Sequence, residues 1–415
     1  MPIDRKRMYK FPWSKADNPG AWVEVTDECD LSCPGCYRHR LEGHRSLEGV
    51  KNDILLCQRS TNCGRISIAG GEPLIYPGIV EVVDFIRRNR MQPVIFSNGQ
   101  NLSRELAAEL RKAGLHQIFF HVDSGQDRPG WEGRSESGLN DLRQFYADMI
   151  WDLGEVQCGF NVTVSRKTLP EVPSILEWVR RNIPKVQNVS LIALRGLDFS
   201  EGKRYMAGGK FIDTSHWQSG SSDSREISIT SEEIYEVVER SFAETRPSAY
   251  LSGTARPETH KFLIILYLGS ARKIYGTVGA RTVEFNEAWT HLRKGRYMAG
   301  FSQPRIGKKI FLLAGLDREI RKALFRYLGT ALRSPARLFD PVYIQCINIQ
   351  QPNEILDGEV NLCDGCLNQM AYKGNLIPSC QLDEFRLYGG PIMEMTEKSG
   401  EGPGDGPSIR GPGND

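Results

Sequence analysis

The stretch Cys29-Asp-Leu-Ser-Cys33-Pro-Gly-Cys36 places three thiols on one short loop at C-x3-C-x2-C spacing. Thiolates are soft ligands that suit iron–sulfur centres and zinc. Three of them can hold three irons of a cubane and leave the fourth iron without a protein ligand, whereas electron-transfer clusters use four cysteines. A tetrahedral zinc site with one open position is the competing chemistry. A second group, Cys346, Cys363, Cys366 and Cys380, is spaced C-x16-C-x2-C-x13-C, which suits either zinc or an iron–sulfur cluster. Cys57, Cys63 and Cys158 stand apart and read as small buried hydrophobes.

These groups need a frame, and hydrophobic periodicity supplies one. An apolar run at residues 21–26 precedes the first cysteines, and Ser46 stands where it would cap a helix through Val50, Ile54 and Leu55. Residues 65–69 alternate as a strand and end in Gly70-Gly71-Glu72-Pro73, after which Ile79, Val82, Val83 and Ile86 recur at helical spacing. Residues 93–96 form a strand ending at Ser97-Asn98-Gly99; Ser103, Leu106, Leu110 and Gly114 then mark a capped helix. Residues 117–122 run into Asp123-Ser124-Gly125, and Leu142, Phe145, Met149 and Ile150 mark the next helix. Residues 156–164, 175–181 and 186–194 read as strand, helix and strand, and Thr230-x-x-Glu233 is a capping box that opens a sixth crossover helix. Six strand–helix units in succession predict parallel strands joined by right-handed crossovers. The cysteines, Glu72, Asn98 and Asp123 then all follow strand C-termini, where barrels of parallel strands carry their function.

C-x3-C-x2-C after a first strand, with Gly70-Gly71-Glu72-Pro73 after the second, resembles the radical S-adenosylmethionine (radical SAM) superfamily. Where many members have an aromatic before the last cysteine, this chain has Gly35, with Tyr37 following. The resemblance implies an α/β fold: an open partial (β/α)6 TIM-like barrel with a C-terminal cysteine-rich extension. It implies an enzyme in which Cys29, Cys33 and Cys36 hold a 4Fe-4S cluster whose open iron binds S-adenosylmethionine. Tyr37, Gly70, Gly71, Glu72, Pro73, Asn98 and Asp123 are then the cofactor-binding residues, Glu72 as an acceptor for the methionyl amine. One electron, from a reductase, flavodoxin or ferredoxin-type donor, would release a 5′-deoxyadenosyl radical that abstracts hydrogen from the substrate. The C-terminal cysteines resemble a shortened SPASM extension, which implies an auxiliary 4Fe-4S cluster, with structural zinc as the alternative. Gly374-Asn-Leu-Ile-Pro-Ser-Cys380 resembles the cysteine segment of tetraether-lipid-synthase relatives, which implies an apolar or lipid-like substrate. A SPASM-like peptide maturase is the second enzyme reading, and a zinc-stabilised binding module without radical chemistry is the non-enzymatic one.

The chain has 415 residues and a formal net charge of +2, so its overall balance selects no charged partner. Charge is nevertheless segregated, because residues 291–338 hold twelve Lys and Arg against two Asp and Glu. The same segment contains Phe311, Leu312, Leu313 and Phe325, and residues 317–332 read as an amphipathic helix with Ile320, Leu324, Leu328 and Leu332 along one side. Basic charge beside an apolar stripe suits contact with anionic lipid headgroups, and no nucleic-acid motif accompanies it. Residues 1–13 lack the apolar core of a secretory signal, and the longest apolar run, residues 262–268, is far short of the ~20 that a spanning helix needs. Clustered cysteines then point to a reducing cytoplasm, with at most surface contact with a membrane. The expected divisions are an arm at 1–20, the barrel at 21–245, a basic insertion at 246–340, the cluster domain at 341–395 and a disordered tail at 396–415. Gly- and Ser-rich residues 195–224 are expected as an irregular loop or lid.

Overall fold

A computed structural model describes residues 3–33, 36, 38, 43–126, 128–194, 204–212, 229–298, 300, 305–356 and 359–395. Tyr37, most of the expected lid and the expected tail lie outside the described residues. Strands and helices alternate from the start: β1 (Tyr9–Lys10), β2 (Gly20–Thr26), α1 (Leu47–Thr61), β3 (Arg65–Gly70), α2 (Ile79–Arg88), β4 (Gln92–Ser97) and α3 (Arg104–Ala113). β5 (Gln117–His121), α4 (Asn140–Leu153), β6 (Gln157–Val164), α5 (Val172–Arg181) and β7 (Val186–Ala193) continue the pattern. β2 to β7 lie side by side in chain order and pair parallel throughout. The fold is α/β, and this open parallel array is the partial barrel expected from the sequence.

Local chemistry sets the helix ends. The Ser46 and Ser103 hydroxyls accept from the Gly49 and Leu106 amides at 3.2 and 3.1 Å, satisfying donors that a helix start leaves free. The helices cover one face of the sheet, where Ile68, Ile95, Phe120, Phe160 and Leu191 are buried with Ile54, Val83, Leu110, Ile150 and Leu176. Side chains alternate along a strand. Glu24, Ala69, Phe96, Phe119, His121, Asn161 and Ser190 therefore face the opposite, inner side.

The sheet does not end at six strands. After β8 (Arg204–Ala207), β9 (Lys210–Ile212) and α6 (Ser231–Ser241) come β10 (Ala249–Ser252), β11 (His260–Ser270), β12 (Lys273–Thr277), α7 (Ala280–Lys294), α8 (Arg318–Arg333) and β13 (Tyr343–Gln350). β13 pairs parallel with β7, and β11 pairs antiparallel with β13, β10 and β12. The segment expected as an insertion thus begins by extending the same sheet. The expected arm also contributes, because β1 pairs parallel with β10 at the sheet edge. These pairings join residues far apart in sequence, which local periodicity cannot register.

The C-terminal part returns to the other edge. β14 (Glu354–Leu356) and β15 (Glu359–Asn361) form one hairpin, β16 (Gln369–Tyr372) and β17 (Asn375–Pro378) a second, followed by α9 (Leu382–Tyr388) and β18 (Met393–Met395). β16 bridges to β2 in parallel, and Met370, Ile377 and Leu382 pack with Trp22 and Ala69. The C-terminal hairpin and α9 therefore cover the inner face beside the first cysteine loop. Among the described residues no helix is long and apolar enough to cross a membrane.

Candidate functional site

The cysteine loop leaves β2 at Thr26, and the Gly-Gly-Glu-Pro turn clasps its base. Gly71 N donates to Thr26 O at 2.8 Å and Glu72 N to Glu28 O at 2.7 Å. A Cβ on Gly71 would lie 1.9 Å from Glu28 O, and one on Gly70, at φ +135, would lie 2.2 Å from Thr26 O. Only glycine fits either position. Pro73 follows, buried, at the start of a short helical turn over Pro73–Ile75.

Glu72 is 1% exposed, and its oxygens are already engaged. Oε1 accepts from Leu74 N at 2.9 Å and Ser97 Oγ at 2.7 Å, and Oε2 accepts from Asn98 N at 2.7 Å. Burial pushes the carboxyl up to about 7 against the pull of these three donors. The residue offered by the sequence as an acceptor for a ligand amine thus joins the ends of β3 and β4. Asn98 reaches back to the cysteine loop, its Nδ2 donating to Asp30 Oδ1 at 2.6 Å, while Asn101 donates to the other Asp30 oxygen.

Asp123 follows β5 and forms a third anchored strand end. Its Oδ2 accepts from His121 Nε2 at 2.7 Å and Thr163 N at 2.9 Å, and Oδ1 accepts from Gly125 N at 3.0 Å. Burial raises the carboxyl, but the His121 charge and these bonds outweigh it and hold Asp123 at about 2. Burial lowers His121, and Asp123 overrides that to leave the imidazole raised. The Asp123 side chain is 3% exposed and that of His121 is 40% exposed, so the histidine is the member that meets the inner space.

Sequence reading passed over His121 and three further residues that hold this rim. Arg128, nearly buried, donates through Nη2 to Asn98 O at 2.7 Å and His121 O at 3.1 Å. Arg143, fully buried, donates to Glu136 O at 2.7 Å and Val122 O at 2.8 Å, while Glu136 accepts from Ser124 N at 2.7 Å. One signal was available, because Arg143 falls on the apolar stripe of α4 with Tyr146 and Ile150.

Following the strand register from His121 gives Asn161, Ser190 and Asn348 as cross-strand partners on β6, β7 and β13. These four polar side chains form a row on the inner face. Asn161 Oδ1 and Asn348 Oδ1 are buried with no hydrogen-bond partner among the described residues. Toward the strand N-termini, Phe96 and Phe119 stack with centroids 4.7 Å apart and Trp22 lies 5.0 Å from Phe96, forming an apolar floor.

Cys29 and Cys36 are exposed and Cys33 is half-buried. Burial, then the neighbouring Cys36 and Cys29, push the Cys33 thiol up to about 11, so the three sulfurs sense one another. Among the described residues no trio of His, Cys, Asp or Glu is drawn to metal-ligand distance. The donors nevertheless suit a cluster in type and number, being three soft sulfurs on one loop with a glycine-clasped base.

Of the C-terminal four cysteines, three share a neighbourhood. Cys363 is raised by its hydrogen bond with Cys366 and by burial, Cys366 is lowered by the same bond, and Cys380 is raised by burial and then by Cys366. Cys346 sits within β13 between Leu266 of β11 and Asn188 of β7, and its thiol responds to burial and to Arg65. Fully buried Asn18 holds the C-x2-C turn, its Nδ2 donating to Gly365 O at 3.3 Å and Cys366 O at 3.0 Å. The two cysteine regions are also joined. Arg38, just past Cys36, pairs with buried Glu24 and with Asp383, and Arg386 pairs with Asp27 at 2.6 Å.

Part of the chain is similar to known proteins. Residues 23–147 match the family model of the Radical SAM superfamily. The chain is 24% identical over 193 residues to Fe-coproporphyrin III synthase of Methanosarcina barkeri, covering 44% of this chain and 47% of that one. It is 31% identical over 107 residues to a probable GTP 3′,8-cyclase of Methanothermobacter marburgensis, covering 25% and 34%. The chain therefore spans about half the length, or less, of these curated relatives. SuiB of Streptococcus suis bound to S-adenosylmethionine aligns over 54% of this chain and 47% of that one, at 14% identity and a TM-score of 0.38. anSMEcpe with bound AdoMet and the Cp18Cys peptide aligns over 54% and 58%, at 13% identity and a TM-score of 0.39. The superfamily comprises enzymes that use a 4Fe-4S cluster and S-adenosylmethionine. Over residues 23–147, less than a third of its length, the chain is similar to the radical SAM superfamily.

Proposed function

We propose that this protein is a radical SAM enzyme in which Cys29, Cys33 and Cys36 hold the 4Fe-4S cluster and the ends of β3, β4 and β5 seat S-adenosylmethionine. When bound and reduced, by a flavodoxin, ferredoxin or reductase-type donor, this pair supplies a 5′-deoxyadenosyl radical for hydrogen abstraction. The observation that carries the reading is the double-glycine clasp, which leaves no side chain between the turn and the base of the cysteine loop. Gly70 and Gly71 let backbone amides approach the methionyl part, Pro73 and Glu72 fix the turn, and Asn98 orients the loop through Asp30. Asp123 holds His121 toward the inner space, and Tyr37, next to Cys36 in sequence, is kept as a further cofactor-binding residue.

An auxiliary metal site is assigned to Cys363, Cys366 and Cys380, as an iron–sulfur cluster with zinc as the alternative. The position of Cys346 lends no support to its being the fourth ligand. The substrate has two readings. Exposed apolar and basic surface on α7 and α8 is compatible with the apolar or lipid-like class, whereas the Asn161–Ser190–Asn348 row supports a substrate carrying hydrogen-bond donors. Peptide amides have that chemistry, so the inner face favours the peptide-maturase reading.

The test is anaerobic incubation of reconstituted protein with dithionite and S-adenosylmethionine. Wild type should form 5′-deoxyadenosine and methionine, and Cys33→Ala should form neither. A protein that binds zinc alone at Cys29, Cys33 and Cys36, with no 5′-deoxyadenosine, would instead be the binding module.

A further inference from the structure

Ten of the fifteen exposed large apolar side chains among the described residues fall between positions 280 and 339. On α7, Phe285, Trp289 and Leu292 recur at i, i+4 and i+7 and are 50%, 50% and 79% exposed. The two rings lie parallel, 6.4 Å apart. On α8, Phe325, Leu328 and Leu332 recur at i, i+3 and i+7 and are 66%, 41% and 85% exposed. These are not the packing faces of α8, because Ile320, Ala323 and Tyr327 on its other side are already buried in the core. Such a helix is apolar on its outer face as well as its inner one.

One buried carboxylate sets both helices. Asp317, 2% exposed, caps α8 by accepting from Glu319 N at 2.9 Å and Ile320 N at 3.2 Å. It also accepts from Thr282 Oγ1 at 2.8 Å and Thr282 N at 3.2 Å in the first turn of α7. The two helices therefore start from a common node, and each presents its own outward stripe. Cations share those surfaces. Arg318 and Arg321 lie seven and four residues before Phe325, on the same face of α8, and Arg293 lies over the Trp289 ring at 5.8 Å.

We propose that α7 and α8 lie on the surface of an anionic lipid bilayer, with the apolar stripes entering the acyl boundary and the flanking Lys and Arg meeting lipid phosphates. Charge selects this occupant. Residues 280–338, which span both helices, carry thirteen Lys and Arg against four Asp and Glu, so a second copy of the chain would bring two like-charged faces together. Nucleic acid would meet the cations but leave Leu328 and Leu332 unused. The indole of Trp289 suits the headgroup level, and neither helix is long or apolar enough to cross. This docking is independent of the radical chemistry.

The test is co-flotation of the full-length protein with phosphatidylcholine vesicles, with and without phosphatidylglycerol, at low and high salt. Binding is expected only to the anionic vesicles, falling as salt rises. Arg318→Gln/Arg321→Gln should reduce partitioning about 25-fold, at roughly fivefold per cation. Phe325→Glu/Leu332→Glu should abolish it while the far-UV circular dichroism stays that of wild type, since both positions are exposed. Wild type that stays unbound with anionic vesicles, or variants that float like wild type, would overturn the proposal. So would a dimer in sedimentation that Phe325→Glu/Leu332→Glu dissolves in the absence of vesicle binding.

Discussion

Arg38, two residues past the last cysteine of the first loop, lies 2.9 Å from Asp383, three residues past Cys380. Both side chains are nearly buried, and the same guanidinium serves Glu24 of β2. Two loops far apart in sequence are thus locked by one cation. Arg38→Ala strands two carboxylates in a buried setting and should cost about 3 kcal/mol. Asp383→Asn should cost less, because Arg38 keeps Glu24. Urea denaturation of the three proteins checks the order, and an unchanged midpoint for Arg38→Ala would refute the lock.

Cys363, Cys366 and Cys380 respond to one another, whereas the Cys346 thiol, held in β13, responds to burial and Arg65, and this predicts unequal losses. Cys366→Ala should lose the metal of that site, whereas Cys346→Ala should retain it. Iron and zinc analysis of each purified variant decides, and equal losses would restore Cys346 as a ligand.

Gly71→Ala puts a methyl group 1.9 Å from Glu28 O, so the turn or the cysteine loop must shift. A displacement of that size should lower 5′-deoxyadenosine formation about a hundredfold. Helix and strand content should be unchanged by circular dichroism.

The Asp123–His121 pair gives a stability signature in pH. Asp123 is depressed from 3.8 to about 2, so its contribution is complete above the ordinary carboxylate value and is lost as pH falls toward 2. His121 is raised from 6.5, so its contribution is complete below that value and is lost as pH climbs through the raised one. The stability difference between wild type and Asp123→Asn should therefore be largest between about pH 4 and 6.5, at about 2 kcal/mol, and shrink on either side. A flat difference across that range would contradict the pairing.

Glu287 runs the other way. It is 1% exposed, and burial pushes it up from 4.5 to about 7, despite the Met298 amide that donates to it. The native state then holds the proton more tightly than the unfolded chain, so stability falls as pH climbs from 4.5 through 7. Glu287→Gln removes that loss, and above pH 7 it should be more stable than wild type by up to about 3 kcal/mol. Thermal melts on both sides of pH 7 provide the check.

Much of the N-terminal half was legible in the sequence because its signals are local. Alternation at residues 65–69 and 93–96, the Ser46 and Ser103 caps and the Gly70-Gly71 pair each depend on neighbours a few positions away. The rest rests on contacts that spacing does not encode. Nothing around Tyr9 announces a partner at Ala249, and nothing in the basic segment announces that β11 will join β13. Glu72 illustrates the limit within the site. Its type and position were readable, but its engagement by Ser97 and Asn98 follows only once β3 and β4 lie side by side. Arg128 and Arg143 were missed for a related reason, since a buried arginine is recognised by the carbonyls around it.

Asn18 donates to Cys366 O across 348 positions of chain. At ribosomal rates of 5–20 residues per second, roughly 20 to 70 seconds separate the synthesis of the two partners. For the first part of that interval β1 has no β10 to pair with, and until its end Trp22 has no complete C-terminal hairpin and helix over it. The nascent barrel is thus exposed at both flanks while its cysteine loop is already outside the ribosome. Truncated products would carry an open sheet edge, so soluble yield should depend on completing the last fifth of the chain more than on any stretch of similar length before it.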